Sequence, residues 1–130
     1  MNKRFPPLFL LIASLAILLA ACSSGGGDPA KTVETYLQAK VEGNEKVIRQ
    51  LLCSEKEADA FQEINAFTSV SGAHIEDMKC RRLDDSDVVQ CDGKIVATYG
   101  KEDTEFPLTS YRVVQEDGEW KWCGEAPSSP

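Results

Sequence analysis

An apolar segment at the N-terminus, followed at once by a cysteine, limits what this chain can fold into. Met1–Arg4 is short and basic, and Leu8–Ala21 is apolar apart from Ser14. That run is too short to cross about 30 Å of hydrocarbon comfortably, but it has the length of the apolar region of an export signal. We therefore assign residues 1–21 to a signal peptide. The rest of the chain provides one small domain, which excludes a two-domain enzyme.

Cys22 ends a four-residue motif that points to lipidation. Leu19-Ala20-Ala21-Cys22 is similar to the bacterial lipobox, in which the cysteine is acylated and becomes the first mature residue; an ordinary signal peptide with a chance cysteine is the alternative. Acyl chains on Cys22 would anchor the exported protein to the outer face of the plasma membrane, or to an outer membrane if the host has one. We expect residues 22–28 to be the acylated cysteine and a flexible Gly/Ser tether.

The charge balance argues against a nucleic-acid partner. The chain has 21 Asp and Glu against 14 Lys and Arg, a net charge of −7, and no basic stripe. Such a chain has few cations with which to displace the counterions of a polyphosphate. Its hydrophobic fraction of 42% is ordinary for a globular protein.

Residues 29–124 carry the pattern of an α+β domain, and residues 125–130 read as a frayed tail. Asp28-Pro29 and Asn44 start two helices, and Ser54–Glu57 fits a capping box that opens a third. The third helix has an apolar side of Ala60, Phe61, Ile64 and Phe67. Alternating segments and turn residues then predict a curved four-stranded antiparallel meander, with strands Ile75–Leu83, Val88–Tyr99, Phe106–Gln115 and Glu119–Cys123.

Three segments of this domain resemble small bacterial lipoproteins of the nuclear transport factor 2-like superfamily. They are Tyr36–Asn44, Leu51-Leu52-Cys53 and the closing hairpin Glu116–Cys123. The resemblance implies a cone in which a curved sheet wraps around helices and often leaves an apolar pocket. The superfamily includes ketosteroid isomerases and polyketide cyclases as well as binding and dimerisation modules, so the fold alone does not select a function.

The four cysteines after Cys22 predict disulfides rather than a metal site. An even number of cysteines in a small exported domain favours disulfides. There is no C-x-x-C motif, and His74 is the one histidine, so we expect no metal and no cofactor. Three pairings are open. If the first hairpin is centred between Asp85 and Ser86, Cys80 faces Cys91, which leaves Cys53 with Cys123. The resembling lipoproteins often have a cysteine after the second helix and another after the final tryptophan, which agrees with that pairing.

The sequence offers few residues for catalysis. Isomerase-like members of the superfamily place a tyrosine on the first helix as an oxyanion donor, and Tyr36 occupies that place, with Asp77 or Asp92 as the base. The alternative, which we favour, is that Tyr36 is a core aromatic and both aspartates face solvent. We therefore assign no catalytic residue, and Tyr36 is retained as a pocket residue.

One sheet face is expected to present an apolar stripe to a partner. With the registers of the predicted hairpins, the face towards the helices carries Val89, Cys91, Ile95, Leu108 and Val114 together with Cys80 and Cys123. The opposite face carries Val96, Tyr111, Val113, Trp120 and Trp122. An exposed stripe of this kind would suit a homodimer or an envelope protein partner. A one-residue slip or a bulge would instead turn the tryptophans into the core.

These patterns favour a lipid-anchored extracytoplasmic binding or protein-interaction module without catalysis of its own. The alternatives are a small-molecule enzyme or carrier that uses the cone pocket, of the isomerase or cyclase kind, and a structural envelope protein.

Overall fold

The computed structural model describes residues 27–127. The predicted signal peptide, the lipobox with Cys22 and most of the tether lie outside these residues, as do the last three residues of the tail. The described helices are α1 (Pro29–Glu42), α2 (Glu45–Leu51), a 3₁₀ helix (Ser54–Asp59) and α3 (Ala60–Ile64). The strands are β1 (Ser71–Arg82), β2 (Val88–Tyr99), β3 (Glu102–Pro107), β4 (Ser110–Glu116) and β5 (Glu119–Glu125). The chain is therefore α+β, as the sequence predicts.

Local signals explain where the first two helices begin and end. The Asp28 carboxylate accepts a hydrogen bond from the Ala30 N–H, and Pro29 occupies the first turn, where no donor is needed. Gly43 ends α1 in the left-handed conformation that glycine adopts without steric cost. The Asn44 side chain accepts from the Val47 N–H and caps α2. These caps aim the apolar side of α1, with Val33, Tyr36 and Leu37, at the sheet.

The third helix differs from its prediction. Ser54 does not form a capping box, because its hydroxyl and its backbone N–H both donate to the Glu116 carboxylate on β4. The segment after Cys53 is a 3₁₀ helix, and α3 is short. Phe61 is 75% exposed, so the predicted apolar side of this helix is wrong at that position.

The sheet is an antiparallel meander whose third strand is broken. β2 pairs with β1 on one side and with both β3 and β4 on the other, and β5 pairs with β4. The break lies at Leu108 and Thr109, which still bond to the β2 backbone at Gly93 and Cys91. The prediction of one continuous strand over Phe106–Gln115 is therefore wrong, and the sheet has five strands instead of four.

That break decides which side chains face the helices. Ile95 pairs with Phe106, but Val89 pairs with Tyr111, so the register changes by one residue across the break. Leu108 and Tyr111, which an unbroken strand would place on opposite faces, are both buried. The sheet face against the helices, called the helix-side face below, carries Val89, Cys91, Ile95, Tyr111, Val113 and Trp122.

The predicted partner face is consequently wrong. Tyr111, Val113 and Trp122 are buried in the core, and Trp120 is partly buried against it, with the Arg82 guanidinium 4.9 Å from its ring centroid. The face opposite the helices, called the outer face, carries polar cross-strand partners instead: Glu76, Arg81, Gln90, Lys94 and Glu105. This face therefore presents no continuous apolar stripe to a partner.

Two disulfides join the described chain. Cys80 and Cys91 are register partners on β1 and β2, with their Cα atoms 4.1 Å apart. Cys53 joins Cys123 with a Cα separation of 5.2 Å. These are the pairings expected from the hairpin register. Leu52 forms a parallel bridge to Trp122, and the Cys53 N–H donates to the Trp122 carbonyl. The Cys53–Cys123 disulfide thus closes the β5 edge of the sheet, and Cys123 does not share the face of Trp122.

A bulge in β1 bends the long first hairpin. Between Glu76 and Lys79, β1 has one residue more than β2, and Asp77 adopts a positive φ of 54°. Gly93 lies opposite the bulge with a φ of 104°, and a Cβ atom there would come within 2.6 Å of the Glu76 carbonyl oxygen. Gly93 therefore permits a close backbone approach that no other residue allows without rearrangement.

Candidate functional site

A cleft of about 370 Å³ lies between the helices and the helix-side face. Its apolar lining comes from Leu37 on α1, from Phe67 after α3, and from the sheet residues Ile95, Phe106, Pro107, Leu108, Tyr111 and Trp122. Its charged lining consists of Lys40, Lys56, Asp59, Glu63 and Glu125. A concave apolar site with a few convergent polar groups is the usual form of a small-molecule site.

The cleft lies beside the break in the third strand. Phe106 and Pro107 line it at the end of β3, Leu108 lines it at the break, and Tyr111 lines it at the start of β4. The cleft also reaches Gly124 and Glu125. The sequence predicts that Glu125 belongs to a frayed tail, and this prediction is wrong at Glu125. Glu125 pairs with Tyr111 at the end of β5, and the N–H of the next residue, Ala126, donates to the Ser110 carbonyl.

Glu63 is the centre of a polar cluster in the cleft wall. Its Oε2 atom accepts a hydrogen bond from the Tyr36 hydroxyl at 2.7 Å and pairs with Lys40 Nζ at 2.8 Å. The Lys40 and Glu63 side chains are only 22% and 17% exposed. Because both charges are largely withdrawn from water, each needs the other as a partner.

Tyr36, the pocket residue expected from the sequence, lies behind this wall. It is fully buried and is not among the lining residues. Its ring stacks on Trp122 with centroids 4.1 Å apart. Burial, and then the hydrogen bond to Glu63, raises the pKa of Tyr36 far above its ordinary value. The hydroxyl therefore donates its hydrogen bond to Glu63 and is not free to act on a ligand.

Asp77 and Asp92, considered as bases from the sequence, are not brought to the cleft. Both are exposed on the strands β1 and β2, and neither lines the cleft. His74 is also exposed, with its ring nitrogens bonded to the Gly72 carbonyl and the Glu76 carboxylate. The structure thus separates the sequence-predicted acid–base candidates from the cavity.

Two aromatic side chains in the cleft have unusual polar environments. Burial raises the pKa of the Tyr111 hydroxyl, which accepts a hydrogen bond from the Thr109 N–H, and the negative charges of Glu125 and Glu63 raise it further. The Trp122 Nε1–H is buried with no hydrogen-bond partner among the described residues. Leaving a buried donor unpaired costs about 1–3 kcal/mol.

Sequence reasoning missed the charged lining of the cleft. Lys40 lies one helical turn after Tyr36 on α1, so the i, i+4 spacing was a signal that both reach the same wall. Glu63 and Phe106 carried no comparable signal, since their contacts join segments far apart in the chain. Among the described residues, no group of three or more His, Cys, Asp or Glu side chains could hold a metal ion. No helix among them is long and apolar enough to cross a membrane.

Comparison with solved structures identifies the fold. The chain is similar to an NTF2-like protein of unknown function in nutrient uptake from Rhodospirillum rubrum, with a TM-score of 0.50 and 19% sequence identity. The match covers 76% of this chain and 96% of that protein. No protein-family model and no curated protein matches the sequence. The three helices and the curved antiparallel sheet therefore form a nuclear transport factor 2-like α+β cone.

Proposed function

We propose that the protein is a lipid-anchored extracytoplasmic binding module that holds a small ligand in the cleft and performs no catalysis of its own. The observation that carries the proposal is the cleft itself, an apolar cavity of about 370 Å³ whose buried wall is charged. Its volume lies within the usual range for small-molecule sites. With the expected apolar partner face buried in the core, the cleft is the site between the helices and the sheet that combines aromatic and charged lining.

The state of the polar groups in the wall favours binding over catalysis. A general base must have a lone pair free to take a substrate proton, and a nucleophile must be accessible. Tyr36 and Lys40 both bond to the same oxygen of Glu63, which stabilises its carboxylate in place. The four cysteines of the domain are used in disulfides. The part of the wall around Glu63 is thus arranged as a fixed surface against which a ligand can pack, and the unpaired carboxylate of the lining, Glu125, is exposed at the end of β5.

Location outside the cytoplasm is supported by the disulfides together with the N-terminal sequence. Disulfides persist in oxidising compartments and are rare in the cytosol. The basic start, the apolar run and the motif ending at Cys22 add the export signal and the lipid anchor to the proposal. The membrane is then the first partner of the protein, reached through the acyl chains.

The anchor is tested by a single substitution. Cys22→Ser removes the thiol that would be acylated, so we expect the loss of palmitate labelling and the release of the protein from the membrane fraction. Cys53→Ser is the matched control, because it removes a cysteine of the folded domain and leaves the lipobox intact. Unchanged labelling of the Cys22→Ser protein would contradict lipidation at this residue.

Ligand binding is tested on a soluble fragment, Ser23–Pro130, which retains every described helix and strand and both disulfides. Indane, a neutral bicyclic hydrocarbon, is titrated while amide and indole resonances are followed by NMR. We expect shifts confined to residues of the cleft. Phe106→Ala should weaken binding because Phe106 lines the cleft, whereas Phe61→Ala, an exposed phenylalanine outside the lining, should not. No binding, or binding equally affected by both variants, would contradict the proposal.

A further inference from the structure

The charges around the cleft do not cancel. Three carboxylates and two ammonium groups line it. Lys40 is paired with Glu63 at 2.8 Å, and Lys56 lies 3.6 Å from Asp59. Glu125 has no ion-pair partner among residues 27–127, and it is the register partner of Tyr111 in the sheet. The cleft therefore has one uncompensated negative charge, at the end of β5.

Four aromatic side chains line the same cleft as this exposed carboxylate. Phe67, Phe106, Tyr111 and Trp122 line the cleft, and Phe67 meets Phe106 edge to face with centroids 6.2 Å apart. One ammonium group already lies against this lining, because Lys40 Nζ is 5.8 Å from the Trp122 ring centroid. The face of an aromatic ring attracts cations through its quadrupole. The wall thus combines the two features that bind an organic ammonium group, a carboxylate and aromatic faces.

We propose that the ligand of the cleft is an organic cation, an ammonium group on a compact apolar body; this rests on the proposed binding function. The ammonium group lies towards Glu125, and the apolar body packs against Phe106 and Phe67. The net charge of −7 on the chain adds to the preference, since the field of an acidic protein raises the local concentration of cations and repels anions. The two lysines do not reverse it, because three carboxylates against two ammonium groups leave the lining with a net negative charge.

Three probes with the same bicyclic body and different charge test this inference on the Ser23–Pro130 fragment. They are 2-aminoindane, which is cationic at neutral pH, indane, which is neutral, and indane-2-carboxylate, which is anionic. The Trp122 indole N–H resonance reports on the cleft, and Trp120→Phe assigns the two indole signals. We expect 2-aminoindane to bind about fivefold more tightly than indane, and the carboxylate to bind most weakly. The preference should shrink as salt is added.

A matched pair of variants tests whether Glu125 is the carboxylate that attracts the cationic probe. Glu125→Gln should remove most of the preference for 2-aminoindane over indane. Glu102→Gln removes an exposed carboxylate of β3 that does not line the cleft, so it should leave the ratio of the two affinities nearly unchanged.

The outcomes separate this inference from the function on which it rests. Equal affinity for the cation and the neutral probe, or tightest binding of the carboxylate, would overturn the cation preference and leave the binding function standing. If Glu125→Gln and Glu102→Gln reduce the preference for 2-aminoindane over indane equally, the preference comes from the overall charge of the protein, and the role of Glu125 is overturned. Failure of all three probes to bind would overturn both the binding function and the inference.

Discussion

The two faces of the sheet are built from the same strands but by different interactions. The helix-side face buries Tyr111, Val113 and Trp122 against α1 and contains the cleft. The outer face has polar cross-strand pairs, such as Arg81 with Gln90 and Lys94 with Glu76 and Glu105. The helix-side face is stabilised by the burial and close packing of apolar side chains. The outer face is stabilised by exposed ion pairs, which are individually weak. A substitution should therefore cost much more on the helix-side face than on the outer face.

The largest effect is expected at Trp122. Trp122→Glu removes the ring that stacks on Tyr36 and buries a charge in its place, so we expect a loss of at least about 5 kcal/mol and no stable fold. Trp120→Glu, in a partly buried and more peripheral position, should cost far less. Urea unfolding followed by circular dichroism measures both. A Trp122→Glu protein that folds normally but self-associates less would restore the partner face and abolish the contrast between the faces.

The bulge that bends the sheet gives the second prediction. Gly93→Ala places a methyl group against the β1 backbone at a φ of 104°, so we expect a loss of about 2–4 kcal/mol. Gly100→Ala is the control, because Gly100 also has a positive φ, of 66°, but has no atom within 4 Å of the added methyl group. Equal unfolding free energies for the two variants would show that the close approach at Gly93 does not constrain the sheet.

Two ion pairs, one on each face of the sheet, test the difference between the faces by the removal of a charge. Glu63→Gln weakens the partner of Tyr36 and Lys40 inside the cleft wall, and we expect a cost of about 1–3 kcal/mol that salt changes little. Glu105→Gln weakens the pairing of Lys94 on the outer face, with an expected cost below about 1 kcal/mol that salt reduces further. Unfolding at low and high ionic strength distinguishes them, and the same salt dependence for both would remove the distinction.

The smallest effect is a titration on the outer face. The Gly72 carbonyl, and then the Glu76 carboxylate, raise the pKa of His74 above its ordinary value. The stabilisation from protonated His74 is fully present below the unfolded-state pKa and is lost as the pH rises through the folded-state pKa. Because His74 is the one histidine, its ring resonance is readily followed by proton NMR. Glu76→Gln should move its pKa towards about 6.5, and an unchanged titration would contradict the role of Glu76.

Hairpin registers could be read from the sequence, but the faces of the third strand could not. The Asp117-Gly118 turn predicts that Val113 faces Trp122, and the turn at Asp85 and Ser86 predicts that Cys80 faces Cys91, as observed. Both follow because a tight turn sets the pairing of the strands beside it. The one-residue shift at Leu108 and Thr109 lies opposite Gly93 and Cys91 of β2, and no local pattern in the sequence records it.

The candidate site was less predictable than the fold for the same reason. Tyr36 was recognised from its place on the first helix, but its partner Glu63 is 27 residues away. Ser54 fits a capping box locally, yet it bonds to Glu116 across the domain. In each case a contact between distant segments overrides a local preference, so the cleft and its charged wall emerge only when helices and sheet are brought together.

The Cys53–Cys123 disulfide also determines how the domain would respond to mechanical force. It joins residues separated by 70 positions, so β1 to β5 lie almost wholly within one covalently closed loop. A pull on the N-terminal end of α1 against the C-terminal end of β5 can unravel α1 and α2, but extension stops at Cys53 while the bond is intact. Residues 28–53 would lengthen to roughly 90 Å, and the loop would bear no tension. If the domain is anchored to a membrane by its N-terminal end, as proposed above, this disulfide limits the extension and preserves the sheet while α1 and α2 unfold.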